Sequence, residues 1–360
     1  MGREIVRVIV GSPNLRRVVA AFAGFNLADW AHWLAILVYA FERGGAAESG
    51  AISLLQLLPA AIVAPIAANL GDRSSRRRML LLAYWSQAVA MAATGLALVS
   101  NAPASVVYAL AVLAVVATSL TRPAHASLLP SLAREPNELT SANVASGWTE
   151  SFGILVGPAI SGVMIAQLGP GAVFLLAAAI MAIGGFLVLG VRSFPDAPHP
   201  AAPALDLVEL FAGFTALARL PGPRIVVLIL GAAAALWGAI DVLNVAVAID
   251  VMKVGPSGAG MLGASLGVGG IIGSSLAANL VGKPRIAPIF VVGLLTWGVP
   301  LIGIGFLPAP LVAVTLLIGA GAGRSVMDVA GRTLLQRASP NEVLSRIFGI
   351  LEGIFLGAFG

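Results

Sequence analysis

Ala68-Asn69-Leu70-Gly71-Asp72-Arg73-Ser74-Ser75-Arg76-Arg77 is a short, basic connection between two long apolar runs, and its setting decides the fold. Residues 51–70 lead into it, and residues 79–99 follow once Arg78 has closed the charged stretch. Each run is about the 20 residues that a helix needs to cross hydrocarbon. Clustered arginines between two such runs are what a membrane hairpin places at one bilayer surface. The rest of the chain agrees. It is 59% hydrophobic and 10% charged, with a mean hydropathy of +0.97, whereas a soluble domain carries about 25% charged residues. This composition excludes disorder. The 42 glycines show no collagen period, and the absence of Cys excludes disulfide scaffolds, thiolate metal sites and Cys nucleophiles.

Apolar stretches recur near 18–40, 51–70, 79–99, 104–130, 143–167, 172–191, 224–249, 257–281, 286–306, 309–331 and 345–360. They predict ten complete spans and the beginning of an eleventh in an all-α, polytopic membrane protein. Basic residues set the orientation. With a cytoplasmic N-terminus, 17 of the 21 Lys and Arg fall in inside segments, Arg43 and Lys253 fall outside, and Arg122 and Arg324 lie within spans. The expected location is the cytoplasmic membrane. The net charge of +5 is explained by these anchors; no basic run is interleaved with aromatics as a nucleic-acid face requires.

The proline-rich segment 194–223 reads as a cytoplasmic linker with a short amphipathic helix near 205–218. It separates residues 1–193, a six-helix bundle, from residues 224–360, a second bundle represented by helices seven to eleven. An internal repeat supports the division. Ala67-Ala68-Asn69-Leu70 returns as Ala277-Ala278-Asn279-Leu280, and Pro136-Asn137-Glu138 as Pro340-Asn341-Glu342. Asp29, Arg122 and Glu150 correspond to Asp241, Arg324 and Glu352, and all five offsets lie between 202 and 212. Two parallel six-helix halves, related by a pseudo-twofold axis, have such a signature. Span six ends near 191, so its counterpart is expected near 393 to 403, beyond Gly360.

The basic connection resembles the loop signature G-x-L-x-D-R-x-G-R-R/K of the major facilitator superfamily. Leu70, Asp72, Arg73, Arg76 and Arg77 match it, while Ala68 and Ser75 replace two glycines. In span five, Gly153-Ile154-Leu155-Val156-Gly157-Pro158-Ala159-Ile160-Ser161-Gly162 resembles the antiporter motif of the same superfamily, with Ser161 for one glycine. Arg122 sits roughly where drug–proton antiporters of the superfamily carry an embedded arginine, although Pro123 departs from the pattern. The resemblance covers essentially the whole chain. It implies a 6+6 bundle around a central cavity, transport by alternating access, and a cytoplasmic gate in which Asp72 meets the start of helix eleven near Arg346. The arginines of residues 73–78 also serve as topological anchors. Pro158 lacks a backbone donor, so a bend is expected there, and the span-five glycines also permit close helix packing.

An ionisable group at mid-bilayer costs at least about 2.5–3.5 kcal/mol, so each needs a partner, a wet cavity or a function. The embedded acids are Asp29, Glu150, Asp241, Asp328 and Glu352; Arg122, Arg324, His32 and His125 join them. Spans three, six and nine hold none of these, and in the fold the resemblance implies they are the outer helices. Helical spacing puts Asn26, Asp29 and Trp33 on one face, and Trp237, Asp241 and Asn244 mirror them. Ser146, Glu150, Gly153 and Gly157 form one stripe, so Glu150 is expected where helices approach closely and exclude water. A carboxyl buried without a full-time cation holds its proton more tightly. Glu150, alternately paired with and released by Arg122, is therefore the first proton-coupling candidate, Asp29 the second, with Asp241 in the other half. Asn26, Trp33, Trp237, Asn244, Arg324, Asp328 and Glu352 are candidates for the substrate cavity, with Arg324 and Asp328 read first as a neutralising pair. The two histidines are expected to be hydrogen-bonded helix residues.

The leading functional expectation is proton-coupled efflux of small amphipathic molecules by a monomer. A sensory or regulatory membrane module, with a cytoplasmic, cyclic-nucleotide-binding domain beyond residue 360, is the alternative. An importer is disfavoured by the antiporter-like motif. No nucleophile–base set, metal cluster, cofactor motif or phosphate-binding loop suggests an enzyme or a primary pump.

Overall fold

A computed structural model describes residues 2–73, 75–133, 135–191, 217–277, 285–307 and 309–339, with helical residues 347, 350, 351 and 354. Most of the linker, including the amphipathic stretch expected near 205–218 up to residue 216, lies outside these. So do residues 341–346 and the side chains of Leu70, Asp72, Arg73 and Glu352; the Asp72–Arg346 gate therefore falls outside the described residues.

Every regular element among the described residues is helical: α1 (Gly2–Gly11), α2 (Pro13–Arg73), α3 (Arg76–Val99), α4 (Ala104–Thr118), α5 (Thr121–Leu132), α6 (Pro136–Leu168), α7 (Pro170–Leu189), α8 (Pro221–Ala246), α9 (Gly255–Ala277), α10 (Ala287–Phe306) and α11 (Pro310–Ala338). Eight stretches among them are long and apolar enough to cross a membrane. The chain is an all-helical, polytopic membrane protein.

Local chemistry explains where the helices break. The first two spans lie within α2 and are divided at Gly44 and Gly45, whose φ/ψ values leave the helical region; Gly45 has φ +67°. A side chain is strained in that conformation, whereas glycine is not. Across this turn the Ser49 hydroxyl donates to the Leu37 carbonyl at 3.0 Å. The bond reaches twelve residues back, as only a reversed chain allows. Pro170, Pro221 and Pro310 sit at helix starts, where their missing N–H costs nothing. Span four, read from sequence as one stretch over 104–130, is two helices. α4 stops at Thr118 and α5 begins at Thr121. Pro123 has no N–H to donate to the Ser119 carbonyl, so the ladder is interrupted there and the helix restarts. Pro158, by contrast, lies inside α6, which stays helical on both sides of it.

The chain divides into two compact units, Met1–Ala202 and Pro203–Gly360. In the first, α2 packs on α6 and α7, and α3 packs on α7; in the second, α11 packs on α9 and α10. Within a bilayer no hydrophobic drive favours helix association, so close packing of small residues takes its place. At Gly153 a Cβ would come within 2.7 Å of Asn26 backbone atoms, and at Gly157 within 2.7 Å of Trp30 Cβ. One turn on, the Ser161 hydroxyl donates to the Ala31 carbonyl at 2.7 Å. Three small residues, four apart, thus seat α6 on α2. In the second unit Gly273 and Gly321 perform the same task, each lying against backbone of the facing helix in the α9–α11 pair.

Replacing Gly153 by Ala is expected to overpack this seam and cost about 1–3 kcal/mol. Gly298→Ala, where nothing lies within 4 Å of the added Cβ, should be neutral or stabilising by up to about 1 kcal/mol. Thermal unfolding of the two purified variants in detergent measures the contrast.

Candidate functional site

The break in span four positions the central residue of the site. Thr121 opens α5 and accepts at its hydroxyl from Gln87 Nε2 on α3, 2.6 Å away, with both side chains fully buried. This pins the first turn of α5, and the next residue is Arg122.

The Arg122 guanidinium reaches two helices at once. Its Nη1 donates to Glu150 Oε1 on α6 at 2.8 Å. Its Nη2 lies 3.6 Å from Asp29 Oδ2 on α2 and donates to Asn26 Oδ1 at 3.3 Å. The ring of Phe25 lies 5.5 Å below the guanidinium carbon, a distance at which the ring face attracts a cation. Asn26 is fully buried; its Nδ2 donates to the Phe22 carbonyl at 2.8 Å and reaches Thr149 Oγ1 at 3.5 Å. The amide is thus fixed with its oxygen toward Arg122. The predicted α2 face and the predicted α6 stripe meet at this one cation. Trp33 lies half-buried one turn beyond Asp29.

One expectation is corrected. The dry seam is at Gly153 and Gly157, whereas Glu150 sits a turn short of it, with a side chain 45% exposed beside an Arg122 that is 46% exposed. One guanidinium thus faces two carboxyl groups, Glu150 on α6 and Asp29 on α2.

One turn along α5, His125 Nε2 is 2.9 Å from Ser146 Oγ. The Ser146 hydroxyl already donates to the Ala142 carbonyl, so the ring nitrogen is the donor. His125 Nδ1 is buried with no hydrogen-bond partner, and the ring stacks on Phe22 at 3.8 Å. The ring is thus fixed by one hydrogen bond and one stacking contact. His32 is fixed likewise, with Nδ1 2.9 Å from the Ala28 carbonyl. Both are packed helix residues.

In the second unit the corresponding arginine has different surroundings. Arg324 lies 3.6 Å over the Trp237 ring, which stacks on Trp297 at 5.8 Å. Arg324 Nη2 is 3.7 Å from Asp328 Oδ2 on the same helix, and Asp241 on α8 adds its charge to the same neighbourhood. Asn244 lies half-buried on α8. Trp297, on α10, was not singled out by sequence; full burial beside Trp237 brings it into the stack.

Two members of the loop signature can be followed. Arg76 opens α3, with Ser75 as N-cap accepting from the Arg78 amide at 3.3 Å. Arg77 donates through Nε to the Val188 carbonyl at 3.3 Å and through Nη2 to the Leu189 carbonyl at 2.6 Å. Arg17 donates to the next carbonyl, Gly190. Two guanidinia thereby satisfy carbonyls at the C-terminal end of α7, where a positive charge is also favoured by the helix dipole. Of the span-five motif, Gly153, Gly157, Pro158 and Gly162 are all buried along α6.

Comparison with known proteins is consistent along the whole chain. The profile of the Major Facilitator Superfamily matches residues 18–360. The uncharacterized MFS-type transporter y4rN of Sinorhizobium fredii is 28% identical over 97% of this chain and 87% of its own length. The uncharacterized MFS-type transporter YfiS of Bacillus subtilis is 26% identical over 94% of this chain and 82% of its own. Among solved structures, the nucleoside transporter NupG superposes with a TM-score of 0.77 at 12% identity, covering 96% of this chain and 88% of its own, a likeness of fold alone.

Arg122→Gln should leave Asp29 and Glu150 facing each other without their shared cation. The cost is expected at about 1–2 kcal/mol, between the limits for exposed and buried pairs. Thermal unfolding of parent and variant in detergent checks the loss; an unchanged midpoint would remove the shared-cation argument.

Proposed function

Because the chain belongs to the major facilitator superfamily, and is thereby a multi-pass secondary transporter of small molecules, we propose that it exports amphipathic molecules in exchange for protons. The observation that carries this reading is the sharing of Arg122 between Glu150 and Asp29. A single guanidinium cannot fully neutralise both carboxylates. The unsatisfied one takes up a proton or a cationic group on the substrate, and binding of either excludes the other. That exclusion is the minimum requirement for exchange.

Glu150 makes the shorter bond and is the proton-coupling residue in this reading. When it is protonated its charge is lost, and Arg122 remains with Asp29 and Asn26. When it is ionised the guanidinium returns. Gly153, Gly157, Pro158 and Gly162 form the seam beside which this switch operates, in keeping with the resemblance of that stretch to an antiporter motif. In the second half, Asp328, Arg324, Trp237 and Asn244 are assigned to the substrate cavity, and Asp241 is a further proton-coupling candidate. Leu70, Asp72, Arg73, Arg76 and Arg77 are assigned to the cytoplasmic gate. The reading puts the transporter in the cytoplasmic membrane with its N-terminus inside, an orientation that the distribution of Arg and Lys supports, and has it act as a monomer.

The test is transport in proteoliposomes under an imposed pH gradient, with a panel of amphipathic dyes as substrates. Glu150→Gln mimics the protonated carboxyl, so uphill export should fall at least tenfold while dye binding and downhill exchange persist. Asp29→Asn should retain uphill export at reduced rate. Full uphill export by Glu150→Gln with loss in Asp29→Asn would move coupling to α2, and full export by both would refute proton coupling through this cluster.

A further inference from the structure

The N-terminal helix α1 precedes the first span and has no part in the site. Its sequence, Gly2-Arg3-Glu4-Ile5-Val6-Arg7-Val8-Ile9-Val10-Gly11, is two-faced. Ile5 and Ile9, four residues apart, are 8% and 9% exposed, and α1 packs on α6 and α2. Val6 and Val10, displaced by about 100° round the helix, are 53% and 55% exposed. Arg7, about 100° further again from Val6, is exposed too. After Gly11 and Ser12 the chain turns into α2, whose first turn carries an exposed Arg16. Residues 1–20 hold Arg3, Arg7, Arg16 and Arg17 against the single acid Glu4. Arg17 is already spent on the Gly190 carbonyl, whereas Arg7 and Arg16 flank the corner between the two helices.

Two valines exposed next to unspent guanidinia make a poor surface against water and a good one against a lipid headgroup. The apolar residues fit the acyl boundary, and the arginines fit a phosphate. We propose that α1 lies in the membrane interface and that its corner with α2 binds an anionic phospholipid. Through the packing of Ile5 and Ile9, the bound lipid stiffens the attachment of α6, the helix that carries Glu150. The inference rests on the chain being a membrane protein, which the family establishes, and is independent of proton coupling because it is read by binding.

The purified protein is exchanged into nanodiscs or detergent containing equal amounts of phosphatidylglycerol and phosphatidylcholine, and retained lipid is counted by native mass spectrometry. At least a fivefold preference for phosphatidylglycerol is expected. Arg7→Gln with Arg16→Gln should reduce it to below twofold, and Val6→Ser with Val10→Ser should lower total retention. Arg219→Gln with Arg224→Gln, an equal change of charge at exposed positions of the other unit, should leave the preference intact. No preference in the parent overturns the proposal. So does an equal loss in the control pair, which would mean a general charge effect. Self-association through α1, seen as a dimer that Val6→Ser with Val10→Ser dissolves, would assign the face to a second copy and likewise overturn it.

Discussion

A charge inside a bilayer is tolerable only where its field is answered within a few ångströms, and in the first unit one guanidinium answers two carboxylates. Arg122 reaches Glu150 on α6 and Asp29 on α2 from the first turn of α5. Three helices are thereby held at one level, with Asn26 as the polar filler that keeps the guanidinium from sliding toward either partner.

That interaction depends in turn on two features of the backbone. The first is the seam of Gly153, Gly157 and Ser161 against Asn26, Trp30 and Ala31. Side chains at the two glycine positions would push α6 away and lengthen the Arg122–Glu150 bond. The second is the interruption of span four before Pro123. An uninterrupted helix would carry residue 122 at a different rotation, so the proline that departs from the familial arginine pattern also helps to aim this arginine.

The two halves share a sequence plan but not an electrostatic arrangement. Arg122 is half-exposed and bridges helices. Arg324 lies flat on Trp237, backed by Trp297, and pairs with Asp328 on its own helix. Asp241 on α8 adds its charge to that second neighbourhood.

Composition alone makes this a polytopic membrane protein, because nothing else tolerates so little charge in so long a chain. The period of its apolar runs, the loop around Asp72 and the glycines of span five were enough for the family. Helical spacing was also enough to put Asn26 with Asp29 and Ser146 with Glu150, since that spacing is a property of the single helix. Which face meets which is set between helices, where sequence has no ruler. Only the tertiary structure brought both faces to Arg122, split span four in two, set Glu150 a turn short of the close-packed seam, and drew Trp297 into the Arg324 stack. The small amphipathic helix α1 also escaped notice, because ten residues are too few for a span and its buried stripe is defined only by the α6 surface it meets. Sequence settled what crosses the membrane, since that is decided residue by residue against lipid. Structure settled which charges meet, since that is decided by the distance between two helices.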